Sequence, residues 1–247
     1  MIKFDAVTKR FGDYTALEEL NLEIPEGIIF GYIGPNGAGK TTTIKILAGL
    51  LKPTSGTVHI DGYDVHADPM KAKHLFGYVP DKPYLYDKLT ADELTHFVGG
   101  MYGLSRAQVE SNRKELFDYF EITPWKDKRA EEYSQGMKQK LLIAMAFIHD
   151  PKIFIIDEPM IGLDPKSIRN LKTFLKEKVK SGMTIFLSTH SLSVAEELCD
   201  RIGILHQGRL IAEGPISSLT EFADDKEGTD LETLFLNLTA EENELNQ

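Results

Sequence analysis

Gly34-Pro35-Asn36-Gly37-Ala38-Gly39-Lys40-Thr41-Thr42 fits the phosphate-loop pattern G-x-x-x-x-G-K-[ST] at every fixed position. Its flanks agree. Residues 28–33, Ile-Ile-Phe-Gly-Tyr-Ile, are apolar, β-branched and aromatic, which predicts a buried strand. Residues 42–51 set Ile44, Ile46, Leu47, Leu50 and Leu51 at helical spacings, with an end expected near Lys52-Pro53. Strand, glycine loop and helix in this order suit a triphosphate. The glycines let backbone N–H groups converge on phosphates. The helix N-terminus adds partial positive charge and unpaired donors. Lys40 is expected to reach the β- and γ-phosphates, and the Thr41 hydroxyl to bind Mg²⁺. A plain glycine turn before an amphipathic helix would require neither Lys nor Thr there. The loop alone indicates a nucleotide and leaves kinase, GTPase, motor and transporter open.

Outward from the loop, residues 2–10 and 15–24 read as strands joined by a turn at Gly12-Asp13. Phe11 lies in that first connection. It could stack on a purine base or sit as a core aromatic under the hairpin, and its neighbours do not decide between the two. Residues 56–60 and 78–80 read as further strands, with Asp81 directly after the second. Between 82 and about 150 the β-branched runs vanish, and residues 91–101, 106–120 and 134–149 read as helices, interrupted at Pro124-Trp125. Strands then return at 153–156 and 184–188. Helices are expected at 167–180 and 194–199, edge strands at 201–205 and 210–212, and an acidic, mostly helical tail from about 216. The alternation implies a largely parallel sheet covered on both faces.

With 247 residues and 42% hydrophobic content, the chain can bury a sizeable core as one or two domains. Its net charge of −10 disfavours general nucleic-acid binding. Cys199 is the only cysteine, which fits a reducing compartment and excludes an internal disulfide and a cysteine-based zinc site. The apolar run at 141–148 falls far short of the ~20 residues that cross a bilayer, and the N-terminus lacks a signal-peptide core. A cytoplasmic protein is therefore expected, reaching a membrane only through a partner.

Four further segments narrow the chemistry. The apolar strand 153–156 runs into Asp157-Glu158, where a metal-holding carboxylate and a general base for an attacking water are expected at the carboxyl edge of the sheet. Tyr133-Ser134-Gln135-Gly136-Met137 opens a helix: Ser134 can cap it, and with the Gly136 backbone it can offer donors to a phosphate. By itself this segment reads as a cap. His190, after Ser188-Thr189, can reach a γ-phosphate or be an ordinary surface or core histidine. Gly162-Leu163-Asp164-Pro165 reads as a turn and a helix start.

Together and in this order, these residues resemble the ATP-binding cassette of ABC transporters, over about residues 2–215. The resemblance implies a fold of class α/β: a P-loop NTPase (RecA-like) core with an antiparallel β subdomain and an inserted α-helical subdomain. It implies a nucleotide-binding domain over 1–220, with the helical insert at about 82–150, and a short acidic helical tail at 221–247. Residues 34–41 correspond to Walker A, 153–157 to Walker B and Glu158 to the catalytic glutamate. Residues 133–137 take the place of the signature, 162–164 of the D-loop, and His190 of the switch histidine. Phe11 corresponds to the aromatic that stacks on adenine.

Two positions depart from the family. The signature reads Y-S-Q-G-M, so only Ser134 and Gly136 match, and Asp81 stands where the family usually has Gln beside the metal. The resemblance implies these roles: Glu158, His190 and Lys40 in catalysis; Phe11, Gly34 to Thr42, Ser134, Gln135, Gly136, Met137 and Asp164 on ATP; Thr41, Asp157 and Asp81 on Mg²⁺. It also implies head-to-tail pairing with a second cassette, expected to be an identical copy. A separate transmembrane permease is expected too, with the chain peripheral on the cytoplasmic face of the membrane. The wording around the motifs is most like that of bacterial exporter ATPases, and Tyr84, Leu85, Tyr86, Leu89, Phe97, Met101 and Tyr102 offer the permease a docking cleft or belong to ordinary packing. A soluble cassette ATPase acting on ribosomes or DNA is the competing class. One cassette, no sustained heptads and an acidic charge count against it.

Overall fold

The structure, a computed structural model, describes residues 1–82, 84–221 and 231–245. Strands β1 (Ile2–Phe11) and β2 (Tyr14–Ile24) form a hairpin closed by Phe11 opposite Tyr14. β3 (Ile29–Ile33) is buried at every residue and leads through the phosphate loop into α1 (Lys40–Leu47). β4 (Ser55–Ile60) and β5 (Tyr63–Asp64) pair antiparallel beside β1, giving a four-stranded sheet in the order β2-β1-β4-β5. A short helix, α2 (Pro69–Lys73), precedes β6 (Phe76–Val79).

The helical block follows as α3 (Ala91–Met101), α4 (Arg106–Tyr119) and α5 (Gln135–Phe147). Its first two helices begin at reciprocal capping boxes. The Glu93 N–H donates to Thr90 Oγ1 at 3.2 Å while Glu93 Oε2 accepts from the Thr90 N–H at 2.9 Å. Ser105 and Gln108 repeat the arrangement on α4. Such a cap contributes about 1 kcal/mol.

The core then continues as β7 (Ile153–Asp157), α6 (Pro165–Lys180), β8 (Thr184–Thr189), α7 (Leu192–Leu198), β9 (Arg201–His206) and β10 (Arg209–Pro215). These strands form a six-stranded sheet in the order β10-β9-β3-β8-β7-β6, parallel throughout except for β10. Alternate side chains of β7 and β8 feed two different cores. Phe154, Ile156, Ile185 and Leu187 pack with α5 and α6, whereas Ile153, Ile155 and Phe186 pack with α1 and the four-stranded sheet. Both faces are thus apolar and covered, which is why these strands read as continuous hydrophobic runs. All parallel strands deliver their carboxyl ends to one edge, and the phosphate loop and Asp157 lie there.

Three expectations need correction. The first helix ends at Leu47, because Gly49 adopts a left-handed φ of +66° and turns the chain; Leu50 is consequently 60% exposed instead of buried. β9 is an interior strand between β3 and β10 and not an edge. β5 and α2, too short to carry a period, lie where no element was expected. In the expected tail, α8 (Ile216–Glu221) and α9 (Leu231–Leu245) are helical, and Leu231 and Leu234 pack with Ile33, Ala195, Ile202 and Ile204. Residues 222–230, 246 and 247 of that tail lie outside the described residues. No helix among the described residues is long and apolar enough to cross a membrane.

Candidate active site

The loop between β3 and α1 can be traced only by glycine at its end. Gly39 has φ +113°, and a Cβ there would lie 2.6 Å from Ala16 O. That turn directs the first N–H groups of α1 into the loop. Lys40 follows at once and is almost fully buried. Its Nζ donates to Gly34 O at 2.6 Å and to Pro35 O at 3.0 Å, so the ammonium is held across the loop. Burial lowers the Lys40 pKa, and the negative charges of Glu158 and Asp157 oppose that shift. Ala38 closes the loop internally, its N–H donating to Pro35 O at 3.2 Å.

Asp157 ends β7 beside this loop. Thr41 Oγ1 donates to Asp157 Oδ2 at 3.1 Å, and Ser188 Oγ donates to Asp157 Oδ1. Burial raises the Asp157 pKa; the bonds from Ser188 and Thr41 oppose it, and the nearby carboxylates of Asp81 and Glu158 reinforce it. Glu158 sits at φ +53°, an unusual conformation for a non-glycine residue, with its N–H bonded to Ser188 O at 3.0 Å. Its Oε1 accepts from the His190 N–H at 3.1 Å and lies 2.7 Å from His190 Nδ1; its Oε2 accepts from Thr189 Oγ1 at 3.3 Å. A carboxylate only accepts, so Nδ1 carries the proton in this pair.

These groups open into a cavity of about 320 Å³ lined by Asn36, Gly37, Gly39, Lys40, Thr41 and Thr42 from the loop, by Asp81, Asp157 and Glu158, and by Phe11, Tyr14 and Ala16. Phe11 is therefore not a core aromatic: it is 49% exposed at the cavity mouth. Gly34, Pro35 and Ala38 complete the loop without lining the cavity. His190 does not line it either and meets it through Glu158.

The remaining expected residues gather elsewhere. Ser134 caps α5, accepting from the Met137 N–H at 3.2 Å. Gly136 lies against the turn before α6, where a Cβ on it would come 2.6 Å from Gly162 O, and the Gln135 side chain packs over Gly162. Asp164 caps α6: it accepts from the Ser167 N–H at 3.0 Å and from Ser167 Oγ at 2.6 Å, and these bonds hold its carboxyl down to about 2. Within one chain, then, Ser134, Gln135, Gly136, Met137 and Asp164 do not reach the cavity expected to hold ATP. Sequence reasoning missed Tyr14, Ser188 and Thr189. Tyr14 had one signal, its place directly across the hairpin from Phe11. The two hydroxyls stood in the stretch that marked His190, but nothing local assigned them a role, because their partners lie a strand away.

The donor set suits Mg²⁺. Thr41, Asp157 and Asp81 offer hard oxygens, and Thr41 spends its proton on Asp157, which leaves its oxygen free to accept. Among the described residues no cluster of three or more His, Cys, Asp or Glu could hold a metal alone. Mg²⁺ commonly needs only one or two carboxylates when phosphates complete its shell. Three carboxylates facing one ammonium also favour a cation among them when a triphosphate enters.

Comparison with known proteins agrees with this geometry. The ABC transporter family model matches residues 17–161. The linearmycin resistance ATP-binding protein LnrL of Bacillus subtilis is 36% identical over 219 residues, which cover 89% of this chain and 70% of that protein. A solved ATP-binding subunit of an ABC transporter superposes with a TM-score of 0.91 at 35% identity, covering 97% of this chain and 99% of the other. A dimeric ATP-binding cassette in a post-hydrolysis state, bound to ADP and Pi, superposes with a TM-score of 0.79 at 28% identity, covering 87% and 98%. Phosphate loop, paired acids, sheet order and sequence converge, and the chain belongs to the ABC transporter family as an ATP-binding cassette ATPase.

Proposed function

We propose that this chain is the ATP-hydrolysing subunit of an exporter, that it works as a head-to-tail pair of cassettes, and that it drives a separate transmembrane permease from the cytoplasmic face. One observation carries the reading. Lys40, Thr41, Asp157 and Glu158 share a cavity, while Ser134, Gly136 and Asp164 assemble outside it. A second copy turned head to tail would bring its Ser134 and Gly136 N–H groups onto the phosphates held by Lys40.

In that pair, Phe11 stacks on the purine and Lys40 neutralises the β- and γ-phosphates. Thr41, Asp157 and Asp81 would hold Mg²⁺, which when bound neutralises phosphate charge. Water forms a bond to the γ-phosphorus as the bridging oxygen leaves with ADP, and Glu158 takes the water's proton. His190 orients Glu158 through its Nδ1 bond, and the second copy's donors meet the charge that develops. On this reading the nucleotide-binding domain is 1–220, and 221–247 is a short acidic tail.

An apolar groove of about 310 Å³ supports the permease reading; it lies between core and helical block and is lined by Ala48, Leu50, Phe76, Val98, Tyr102 and Met145 among others. Tyr84, Tyr86 and Phe97 form an exposed aromatic ladder, with ring centroids 6.4 and 5.8 Å apart. Leu85 is buried and serves packing, whereas Tyr102 stacks on His149 and still lines the groove. The resistance named for LnrL supports outward transport. Glu158→Gln tests the chemistry: turnover should fall about 10³-fold with ATP still bound, and sedimentation should show an ATP-dependent dimer. Parental turnover in that variant, or full activity from a strict monomer, would refute the proposal.

A further inference from the structure

The last two residues of β8 each carry a hydroxyl, and each hydroxyl meets a different carboxylate at the end of β7. Given the metal and base roles proposed above, we propose that Ser188 and Thr189 are positioning residues acting separately: Ser188 aims Asp157 at the metal, and Thr189 aims Glu158 at the attacking water.

β7 and β8 run parallel with Asp157 in register with Ser188. Successive strand residues point to opposite faces, so Ser188 and Thr189 cannot serve the same group from the same side. Ser188, Thr189 and Asp157 are all at most 2% exposed, so solvent competes little for these hydroxyls. Ser188 Oγ donates to Asp157 Oδ1 and Thr41 Oγ1 donates to Oδ2, which engages both carboxylate oxygens and fixes the plane of the group. Without Ser188 the carboxylate keeps one tether and can rotate about it.

Thr189 is arranged differently. Its Oγ1 accepts from the Ser191 N–H at 3.0 Å, and the branched side chain has little freedom at χ1. The hydroxyl proton is left for Glu158 Oε2 at 3.3 Å. Glu158 is thereby held from both oxygens, by His190 on Oε1 and Thr189 on Oε2. A buried serine placed only to satisfy itself would turn to a nearby backbone carbonyl. Here both hydroxyls bond carboxylates, and outer partners of metal ligands tune metal affinity.

The experiment uses the full chain and a fluorescent ATP analogue, titrated with and without Mg²⁺. Ser188→Ala should raise the Mg²⁺ concentration for half-maximal binding about tenfold and leave Mg²⁺-free binding unchanged, with Ser188→Thr restoring the midpoint. Thr189→Val should leave that midpoint in place and lower kcat about tenfold at constant KM, with Thr189→Ser restoring it. Equal loss with and without Mg²⁺, or a parental midpoint, overturns the role of Ser188. A shifted midpoint, or parental kcat, in Thr189→Val overturns that of Thr189. If Ser188→Ala does not fold, Ser188→Cys, a weak donor of similar volume, carries the same comparison. Asp157→Asn separates the two levels. A parental midpoint there removes the metal role of Asp157 itself. A shift there with none in Ser188→Ala removes only the positioning role.

Discussion

Around the phosphate loop, side chain binds side chain across distant segments: Thr41 and Ser188 on Asp157, Thr189 and His190 on Glu158. Around Ser134 the bonds are local caps and backbone contacts. Ser134 accepts from Met137, Asp164 from Ser167, and Gly136 lies against Gly162. The first region concentrates charge: Lys40, Asp81, Asp157 and Glu158 share one cavity. The second presents a helix N-terminus with no acidic side chain in its first turn. A group that abstracts a proton must be buried and oriented by long-range contacts. A set of N–H donors needs only a well-capped helix and an unobstructed approach. On the proposed reading the difference teaches why such a protein is divided: one region prepares the chemistry, and the other would meet the phosphate held by a second cassette.

Substitutions that act on one region alone can break this division. Gly136→Ala forces the signature turn off Gly162 O, and turnover should fall about 100-fold while single chains bind ATP as before. Loss of ATP binding by the monomer would show that the regions are not separate. Lys40→Ala should give the reverse pattern. Nucleotide affinity, read by equilibrium fluorescence, should drop about 30-fold from one lost charged bond, with the Ser134 region unperturbed. Asp81→Gln is the mildest. Asp81 lines the cavity without a hydrogen-bonded partner among the described residues, and removing its charge should raise the Mg²⁺ midpoint for hydrolysis about threefold. An unchanged Mg²⁺ dependence would take Asp81 out of the metal site.

The catalytic region was legible where its chemistry is written in consecutive residues. Gly34 to Thr42 and Asp157-Glu158 announce themselves, because a loop and a strand end are local objects. Ser134 and Asp164 were legible as residues but not in their whole part. Both serve their own helices as caps here, and only a second cassette would bring that edge to a nucleotide. Leu50 misled, since helical spacing continued past the point where Gly49 turns the chain. Tyr14 stayed hidden because its place at the cavity depends on hairpin register.

By itself, then, the amino-acid order determined the phosphate loop, the two acids, the helical block and the succession of strands and helices. Each follows from spacing or from backbone freedom within a few residues. The tertiary structure alone decided that β9 is interior, that Phe11 and Tyr14 open onto the cavity, and that Ser188 and Thr189 hold the acids of the neighbouring strand. These depend on which strands become neighbours and in what register, a choice made by burying apolar faces together and not by any one segment.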